Sequence, residues 1–364
     1  MTTLPPTLTP PPTAIPTFTS TPTSTPTPTL TPTPTLFVLP GTPLPSSLTP
    51  ITASTAGQVS ALAEWQLASV SDIAWTPDSA QLAVASNDRV NLYDPITREL
   101  LRSLYPTTND IISIAFSPDY FGTWLVVGTR RGSEKDGYAS ALELWRGPDW
   151  QPRGILSGST RGLSDITFSP NGKALAAVYG SPVQLENMIE FLNTASWTIS
   201  NTLQTGSVLD IAFSPNSSFL ATSPDRYAVK VWDINRSALA YKFLTAFTDA
   251  VRTMVYSPDG TMLATGSYAG SINLWDMKTG VLIKTIQSDA AIESLAFSPD
   301  GRVLAAGSVF EDNNIRLYAV DTGELLRELE GNTQGVTKIL FSPAGDMLVS
   351  ASYDGRVILW GIRP

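Results

Sequence analysis

The chain has 364 residues, enough for one large β architecture or two ordinary domains. It carries 23 Lys and Arg against 32 Asp and Glu, a net charge of −9, so no basic surface for a nucleic acid is indicated. The sequence has no Cys and no His, which excludes a disulfide framework, a His-ligated metal site and every catalytic triad that needs His.

Residues 1–60 differ in composition from the remainder. No charged residue precedes Glu64, and residues 1–50 contain 15 Pro and 17 Thr. Proline has no backbone N–H for a helix or sheet, and it pushes the preceding residue to extended geometry. We therefore predict a Pro/Thr-rich segment without a core over residues 1–60. Two interpretations stay open: a disordered tail, or a stalk that holds the folded part away from a membrane or wall.

The cell compartment also stays open. The first residues lack the basic and apolar segments of a signal peptide, which favours the cytoplasm, whereas a Pro/Thr-rich stalk favours an extracytoplasmic location. No stretch approaches 18 consecutive apolar residues, so we expect no direct membrane insertion of this chain.

A short signature, an aromatic residue followed by Ser or Thr and then Pro, occurs seven times after residue 60. Its prolines lie 41, 52, 45, 43, 41 and 44 residues apart. They are Pro77, Pro118, Pro170, Pro215, Pro258, Pro299 and Pro343. Self-similarity at this period indicates one structural unit repeated seven times.

The fifth repeat shows what one unit contains. The apolar runs Ala250–Tyr256, Met262–Thr265, Ile272–Trp275 and Val281–Ile286 read as four strands separated by turns. The first turn is Ser-Pro-Asp-Gly, in which Pro presets φ and Gly supplies a positive φ. Because the strands are almost continuously apolar, both faces of each sheet are expected to be buried, as in sheets stacked around an axis.

The Trp232-Asp233 and Trp275-Asp276 pairs, the Phe-Ser-Pro-Asp-Gly turns and the period of about 43 residues resemble the WD-repeat β-propeller family over residues 61–364. The resemblance implies an all-β fold, a seven-bladed propeller of four-stranded antiparallel blades. The third-strand aromatic residue would fall at Tyr93, Trp145, Trp232, Trp275, Tyr318 and Trp360, with Leu192 as the departure.

The last repeat predicts how the ring closes. It supplies three strands, Val336–Phe341, Met347–Ala351 and Val357–Trp360, and the sequence then stops at Pro364. The extended piece Ala61–Leu67 lies upstream of the first signature. We predict that it pairs onto the last blade as the fourth strand and so removes two open sheet edges.

The family's buried polar network should be partial here. In the family a His bonds a Ser or Thr on the second strand and, through it, the third-strand Trp. Asn332 and Phe247 stand at the His position in two repeats. The candidate partners in the second strands and following turns are Ser86, Asp88, Ser267, Ser308, Ser352 and Asp354. We expect packing of aromatic side chains to provide most of the stability.

Two neighbouring repeats are lengthened at one place, by residues 130–138 and by residues 180–186. In the family, loops at this place lie on the face where partners bind. Tyr268 and Tyr353 occupy equivalent turn positions in their repeats, where exposed aromatic side chains can act as binding anchors. The candidate partner-binding residues are therefore Arg130, Arg131, Lys135, Asp136, Tyr138, Tyr268 and Tyr353. The alternatives are tolerated loop insertions and tyrosines that pack on adjacent turns.

No nucleotide-binding loop or nucleophile elbow occurs, and we expect no cofactor. The acidic run Glu311-Asp312-Asn313-Asn314 fits no calcium-binding loop and is interpreted as a solvated turn. Asp259 and Asp300 are interpreted as turn-capping residues rather than catalytic ones.

These features favour a non-catalytic, monomeric scaffold that binds a protein or peptide through its top-face loops, with no nucleic-acid partner. One alternative is a propeller enzyme of the metal-dependent hydrolase or lactonase type, which requires carboxylates from several blades to converge in the central channel. The other is an extracytoplasmic sensor or adhesion head on a stalk.

Overall fold

The computed structural model describes residues 43–45, 47–107, 110–118, 123–133, 137–180, 187–225, 228–244, 250–310 and 312–363. Within these residues, seven four-stranded antiparallel sheets succeed one another along the chain. They form a seven-bladed propeller, which confirms the predicted fold. The expectation of a tail without a core concerns mostly residues 1–42, which lie outside the described residues, and the boundary at residue 60 stays a prediction.

Each blade is a meander of four strands, and β1 (Val59–Gln66) precedes the first blade. Blade 1 has β2 (Asp72–Trp75), β3 (Leu82–Ala85), β4 (Val90–Tyr93) and β5 (Leu100–Leu104); blade 2 has β6 (Ile111–Phe116), β7 (Trp124–Ser133), β8 (Gly137–Arg146) and β9 (Gln151–Ser159). Blade 3 has β10 (Leu163–Phe168), β11 (Ala174–Tyr179), β12 (Met188–Asn193) and β13 (Thr198–Gln204); blade 4 has β14 (Ile211–Phe213), β15 (Phe219–Asp225), β16 (Ala228–Asp233) and β17 (Ala238–Leu244).

Blade 5 has β18 (Val251–Tyr256), β19 (Met262–Ser267), β20 (Ser271–Asp276) and β21 (Leu282–Gln287); blade 6 has β22 (Ala291–Phe297), β23 (Val303–Val309), β24 (Ile315–Ala319) and β25 (Leu325–Leu329). Blade 7 has β26 (Val336–Phe341), β27 (Met347–Ser352) and β28 (Arg356–Ile362) and takes β1 as its fourth strand.

The ring closes by pairing of β1 with β28, as predicted. The antiparallel register runs from Val59 opposite Ile362 to Gln66 opposite Arg356, so the closing strand begins two residues earlier than expected. The chain before β1 also contacts the ring, because the amide of Ile51 donates to the carbonyl of Gly345 (2.8 Å) and its side chain is buried. Among the described residues, no helix is long and apolar enough to cross a membrane.

The Ser-Pro turns between first and second strands hold themselves together. The hydroxyl of Ser257 donates to Asp259 (2.6 Å) and accepts from the amide of Met262 (2.9 Å), while Gly260 takes a φ of +72°. The hydrogen bond from Ser257 contributes most to holding the pKa of Asp259 below its ordinary value. The hydroxyl of Ser298 bonds Asp300 (2.5 Å) in the same way, so the structural interpretation of both carboxylates is confirmed.

A Leu from the second strand faces the third-strand aromatic position in every blade. The pairs are Leu82 with Tyr93, Leu125 with Trp145, Leu175 with Leu192, Leu220 with Trp232, Leu263 with Trp275, Leu304 with Tyr318 and Leu348 with Trp360. The predicted positions, including the departure at Leu192, are therefore correct, and each pair belongs to an apolar cluster between two neighbouring blades.

The indole groups find hydroxyl partners two residues beyond those leucines. The Nε1 atoms of Trp232, Trp275 and Trp360 donate to Thr222 (3.0 Å), Thr265 (3.0 Å) and Ser350 (2.9 Å) respectively. The serines named from the sequence have other roles: Ser352 bonds Asp354 (2.5 Å), Ser308 bonds Asp312 (2.5 Å), Ser86 bonds the carbonyl of Arg89 (3.3 Å), and the hydroxyl of Ser267 has no partner among the described residues.

The His position also behaves differently from the family pattern. Asn332 is buried, and neither end of its amide has a partner among the described residues. Thr333 instead bonds Asp354 through its amide (3.1 Å) and its hydroxyl. Asp88 forms an exposed ion pair with Arg89 (2.7 Å), and Phe247 lies outside the described residues. The expected network is thus partial.

Blade 2 has a Trp without the matching hydroxyl, which gives a stability prediction. Trp145 Nε1 is buried and unpartnered, and Val127 stands where Ser350 stands in blade 7. We expect V127T to raise the free energy of unfolding by about 1 kcal/mol, because a nearly isosteric Thr supplies the missing acceptor. S350A should lower it by about 1–3 kcal/mol, because Trp360 Nε1 then loses its partner in the core.

The control for V127T is the same change in a W145F background, where the indole donor is absent. There the new hydroxyl gains no indole donor, so V127T/W145F should be less stable than W145F. Urea denaturation of these variants and of S350A checks both expectations. Equal destabilisation by V127T in the two backgrounds would show that the unpartnered indole does not matter.

Candidate functional site

The connections between second and third strands and those between successive blades lie at the same end of every blade, because the strands alternate in direction. We call this end the upper face, and the end with the Ser-Pro turns the lower face. Arg130, Arg131, Tyr138, Tyr268 and Tyr353, the predicted partner-binding residues that the structure describes, belong to the upper face but fall into two separate groups. Lys135 and Asp136, like residues 181–186, lie outside the described residues.

The first group stands on a hairpin rather than a loop. Strands β7 and β8 stay paired from Trp124 opposite Arg146 to Ser133 opposite Gly137, so the extra residues lengthen the blade upward. The Arg130 guanidinium lies over the Tyr138 ring (5.5 Å) and donates to a main-chain carbonyl of blade 3 (3.0 Å). Arg131 is exposed. Arg130 and Tyr138 therefore brace this hairpin against its neighbour.

The second group forms a compact surface over blades 5 to 7, which we call the aromatic patch. Its members are Arg252, Tyr268, Glu293, Phe310 and Tyr353. Arg252 pairs with Glu293 through two hydrogen bonds (2.6 and 3.1 Å) and lies over the Tyr268 ring (4.5 Å), which in turn contacts the Phe310 ring (5.8 Å between centroids). Sequence reasoning named the two tyrosines and missed the other three residues.

Tyr353 belongs to the same patch through its electrostatics. Burial raises the pKa of Tyr353, the charge of Glu293 adds to the shift, and Arg252 opposes it. The Tyr353 ring is nonetheless 62% exposed. Because the ring is exposed and lies beside charged side chains, a partner can contact it in a preorganised position.

Phe310 has the most exposed large apolar side chain of the described residues, at 74%, and its φ is +74°. A bulky aromatic residue in the left-handed region costs about 1–2 kcal/mol, and an exposed ring returns little stability. Its ring contacts that of Tyr268, and most of the side chain stays exposed. Such local strain on an exposed residue points to function.

Below the patch lies the central channel, a cavity of about 620 Å³. One residue of each first strand, or of the chain just before it, occupies an equivalent position around the axis. The seven are Asp72, Ser113, Asp165, Asp210, Thr253, Ser294 and Lys338. We call this set the channel ring. Each repeat contributes only one of these residues, so the sequence did not indicate that carboxylates of different repeats would line one channel.

The channel ring joins neighbouring blades. Asp72 accepts from the amide of Ile114 in blade 2 (2.8 Å), Asp210 from the amide of Met254 in blade 5 (2.5 Å), and Ser294 from the amide of Ile339 in blade 7 (3.0 Å). The Ser113 hydroxyl bridges Asp72 (2.9 Å) and Asp165 (3.0 Å). Lys338 pairs with Asp72 across the seam between blades 7 and 1.

The channel ring contains three carboxylates and one ammonium group, and burial and mutual charge shift the pKa values of Asp165, Asp210 and Lys338. Desolvation raises the pKa of Asp165 to about 6, with Lys338 opposing the shift. Desolvation and the charge of Asp165 raise the pKa of Asp210 to about 7. Burial lowers the pKa of Lys338, but the nearby carboxylates outweigh it, so this pKa lies above its ordinary value.

The raised pKa of Asp210 predicts a pH dependence of stability. Between its ordinary value and about 7, the folded state binds more protons than the unfolded state, so the free energy of unfolding falls as pH rises. D210S places at this position the residue found in blades 2 and 6. Between pH 5 and pH 8 the free energy of unfolding of D210S should rise by roughly 2 kcal/mol relative to that of the parent. Urea denaturation across this pH range measures it, and an equal pH dependence of the two proteins would contradict the prediction.

Converging carboxylates are the feature that a propeller enzyme requires, and Asp72, Asp165 and Asp210 belong to the channel ring. Each of them, however, accepts a hydrogen bond from a main-chain amide, and Asp72 also pairs with Lys338. Within the described part of the chain, no three acidic side chains are grouped so that they could hold a metal ion. The hydrogen bonds and the ion pair of these carboxylates join neighbouring blades.

Comparison with known proteins agrees with the geometry. The family model described as "WD domain, G-beta repeat" matches residues 58–94, 197–233, 240–276, 280–319 and 323–361, more than half of the chain. The unmatched stretch between the first two segments covers blade 2 and the first three strands of blade 3, which carry the lengthened hairpin and Leu192.

Two curated relatives match parts of the chain. An uncharacterised WD repeat-containing protein of Synechocystis sp. is 27% identical over 184 residues, covering 50% of this chain and 48% of that protein. The Set1 complex component swd2 of Schizosaccharomyces pombe is 43% identical over 56 residues, covering 15% of this chain and 16% of that protein. The matches span about half or less of these relatives' lengths.

Propellers of the matched family typically act as protein-interaction scaffolds and are generally non-catalytic. The seven blades, the closing strand and the five matched repeats show that this chain belongs to the WD-repeat (WD40) family.

Proposed function

We propose that this propeller is a non-catalytic scaffold whose upper face binds a protein or peptide through the aromatic patch. The single observation that carries the proposal is Phe310, an exposed aromatic ring at a strained φ that contacts the ring of Tyr268. Aromatic side chains with fixed surroundings are the usual anchors of protein interfaces. Because a rigid ring positions them, little conformational entropy is lost when a partner docks.

The ion pair at the centre of the patch supports a peptide partner over a strongly charged one. Arg252 and Glu293 neutralise each other and hold Tyr268 in place, so the surface offered is mainly aromatic. The lengthened hairpin with Arg131 is a second upper-face surface, and whether it contributes to binding is decided by the same experiment. An extracytoplasmic stalked head differs from this proposal in location, and protease shaving of intact cells separates the two.

The test is selection of a random peptide library displayed on phage against the immobilised protein. Peptides enriched on the parent are then titrated against F310S/Y353S, against R131A, and against Y241S. The last variant removes an exposed ring from β17, away from the upper face, and is the matched control. We expect at least tenfold weaker binding by F310S/Y353S only, since anchor residues commonly contribute 2 kcal/mol or more.

Equal affinity of the enriched peptides for the parent and F310S/Y353S would contradict the proposal. Loss confined to R131A would assign binding to the hairpin instead.

Phe310 also yields a prediction on stability that is independent of any partner. F310G removes the left-handed strain at a side chain that buries little surface, so we expect the free energy of unfolding to rise by about 1 kcal/mol. Urea denaturation measures it, with Y241G, at a residue that is not among those with positive φ, as the control that should lose stability. A destabilised F310G would show that the ring has a packing role.

A further inference from the structure

Two carboxylates of the central channel have no cation beside them. The charged side chains that line this cavity of about 620 Å³ are Asp165, Asp210, Arg252, Glu293 and Lys338. Arg252 pairs with Glu293 (2.6 Å), and Lys338 pairs with Asp72 across the seam between blades 7 and 1. Among the described residues, Asp165 and Asp210 make no ion pair, and the charge of Lys338 reaches them only from its place beside Asp72. When both are ionised, the cavity therefore holds two negative charges without a neighbouring counterion.

These two carboxylates still have free capacity to accept hydrogen bonds. Asp165 of blade 3 accepts both of its hydrogen bonds (3.0 and 2.8 Å) through Oδ1, so its Oδ2 has no partner within the described part of the chain. Asp210 of blade 4 accepts one main-chain amide at each oxygen (2.8 and 2.5 Å), and a carboxylate oxygen can accept a second bond. Two neighbouring blades thus present acceptors to one cavity.

Thr253 of blade 5 offers a third acceptor. It is only 7% exposed, it lines the same cavity, and its hydroxyl makes no hydrogen bond to any described residue. Its methyl group faces Gly266 on the neighbouring strand, since a Cβ atom at Gly266 would lie 2.9 Å from Thr253 Cγ2, so the hydroxyl points away from that strand. Neither Thr253 Oγ1 nor Asp165 Oδ2 is enclosed, so a ligand in the cavity can reach both. An unpaired hydroxyl in a buried residue is costly, and a ligand donor would satisfy it.

A primary ammonium group matches these three acceptors, because it carries one positive charge and three N–H donors. A metal ion is a poorer match, because no three acidic side chains of the described residues are grouped around one point. Desolvation raises the pKa of Asp165 to about 6 and that of Asp210 to about 7, as expected for carboxylates without a cation beside them. A bound ammonium group stabilises the ionised carboxylates and so lowers both pKa values.

We propose that the central channel binds a small aliphatic primary amine in its ammonium form, held by Asp165, Asp210 and Thr253. The cavity volume is in the range of pockets that bind small molecules. None of these three residues belongs to the aromatic patch, so failure of this proposal would leave the proposed scaffold function untouched.

The test compares three probes by ligand-observed NMR titration of the full chain at pH 8, where both carboxylates are ionised. They are n-butylammonium, 1-butanol, which has nearly the same shape without the charge, and tetramethylammonium, which has the charge without an N–H donor. We expect n-butylammonium to bind at least tenfold tighter than either of the others, because hydrogen bonds between charged groups are stronger than neutral ones. At pH 5 protons compete for both carboxylates, and the affinity for n-butylammonium should fall at least tenfold.

Variants locate the binding. D210S should weaken n-butylammonium binding at least tenfold and T253V about threefold, with 1-butanol unchanged in both. The matched control is D289S, which removes one carboxylate from an exposed position outside the cavity and should bind n-butylammonium as the parent does. Because T253V removes a hydroxyl without a partner, its melting temperature should not fall, so it tests the site even if D210S is poorly folded.

Four results would each overturn the proposal. They are equal affinities of the parent for n-butylammonium and 1-butanol, equal affinities for n-butylammonium and tetramethylammonium, equal n-butylammonium binding by D210S and D289S, and unchanged n-butylammonium binding by T253V.

Discussion

A chain that begins at Ala68, and so lacks β1, should not accumulate as a folded monomer. Val59, Leu62 and Ala63 are at most 3% exposed, and each fully buried large side chain contributes about 1.5–3 kcal/mol. Loss of this strand also uncovers the edge of β28 and deprives blade 7 of its fourth strand. The total, about 5 kcal/mol or more, is comparable with the whole stability of an ordinary domain.

The control is a chain that begins at Pro43, which removes only residues 1–42 and keeps the Ile51 contact and β1. Its melting temperature should equal that of the full chain, because a segment rich in Pro and Thr is expected to add no core. Size-exclusion chromatography and thermal unfolding of the two truncations make the comparison. A folded, monomeric chain from Ala68 onward would mean that β1 does not hold the ring closed.

Replacing Lys338 with Met should cost about 3 kcal/mol. Asp72 is 4% exposed, and Lys338 is its ion-pair partner across the seam where the last blade meets the first. Removing one partner of a largely buried pair leaves the other charge without compensation. The Lys338 side chain is itself 35% exposed to the channel, which keeps the expected loss at the lower end for such pairs.

A second substitution distinguishes loss of the pair from loss of the Lys stem. D72S places at this position the residue that blades 2 and 6 carry, which can still accept from the next blade, as Ser294 does (3.0 Å). In the K338M background, D72S should restore about half of the lost free energy of unfolding, because no charge remains unpaired. Additive losses in the double-mutant cycle would contradict the assigned pairing.

The architecture was largely predictable because short sequence features specify the repeat. The Ser-Pro turns, the third-strand aromatic positions and the missing fourth strand of the last repeat each specify a local feature, and local features repeated seven times leave few arrangements. The departure at Leu192 was predictable as well, because Leu192 lies opposite Leu175 as the third-strand aromatic residues lie opposite their leucines in the other blades.

The site was harder to predict, because its residues come together only in the ring. Phe310 gives no signal in the sequence, since its strained φ and exposure depend on the turn after β23. Arg252 and Glu293 are 41 residues apart and pair because successive first strands are neighbours around the axis. The lengthened repeat was read as a loop, yet it forms paired strands, because alternating residues around Arg130 and Tyr138 continue the ladder.

The closure of the ring can be measured most directly with a pair of introduced cysteines, since the chain has none of its own. Gln66 lies opposite Arg356 in the β1–β28 register. Directly opposed residues of antiparallel strands have Cα atoms about 4.5–5.5 Å apart, within the range of disulfides. Q66C/R356C should oxidise to an intramolecular disulfide in the native monomer. The control Q66C/V357C shifts the register by one residue and points the thiols to opposite faces, so it should stay reduced. No disulfide in Q66C/R356C, or one found only between two chains, would contradict the closed seven-bladed ring.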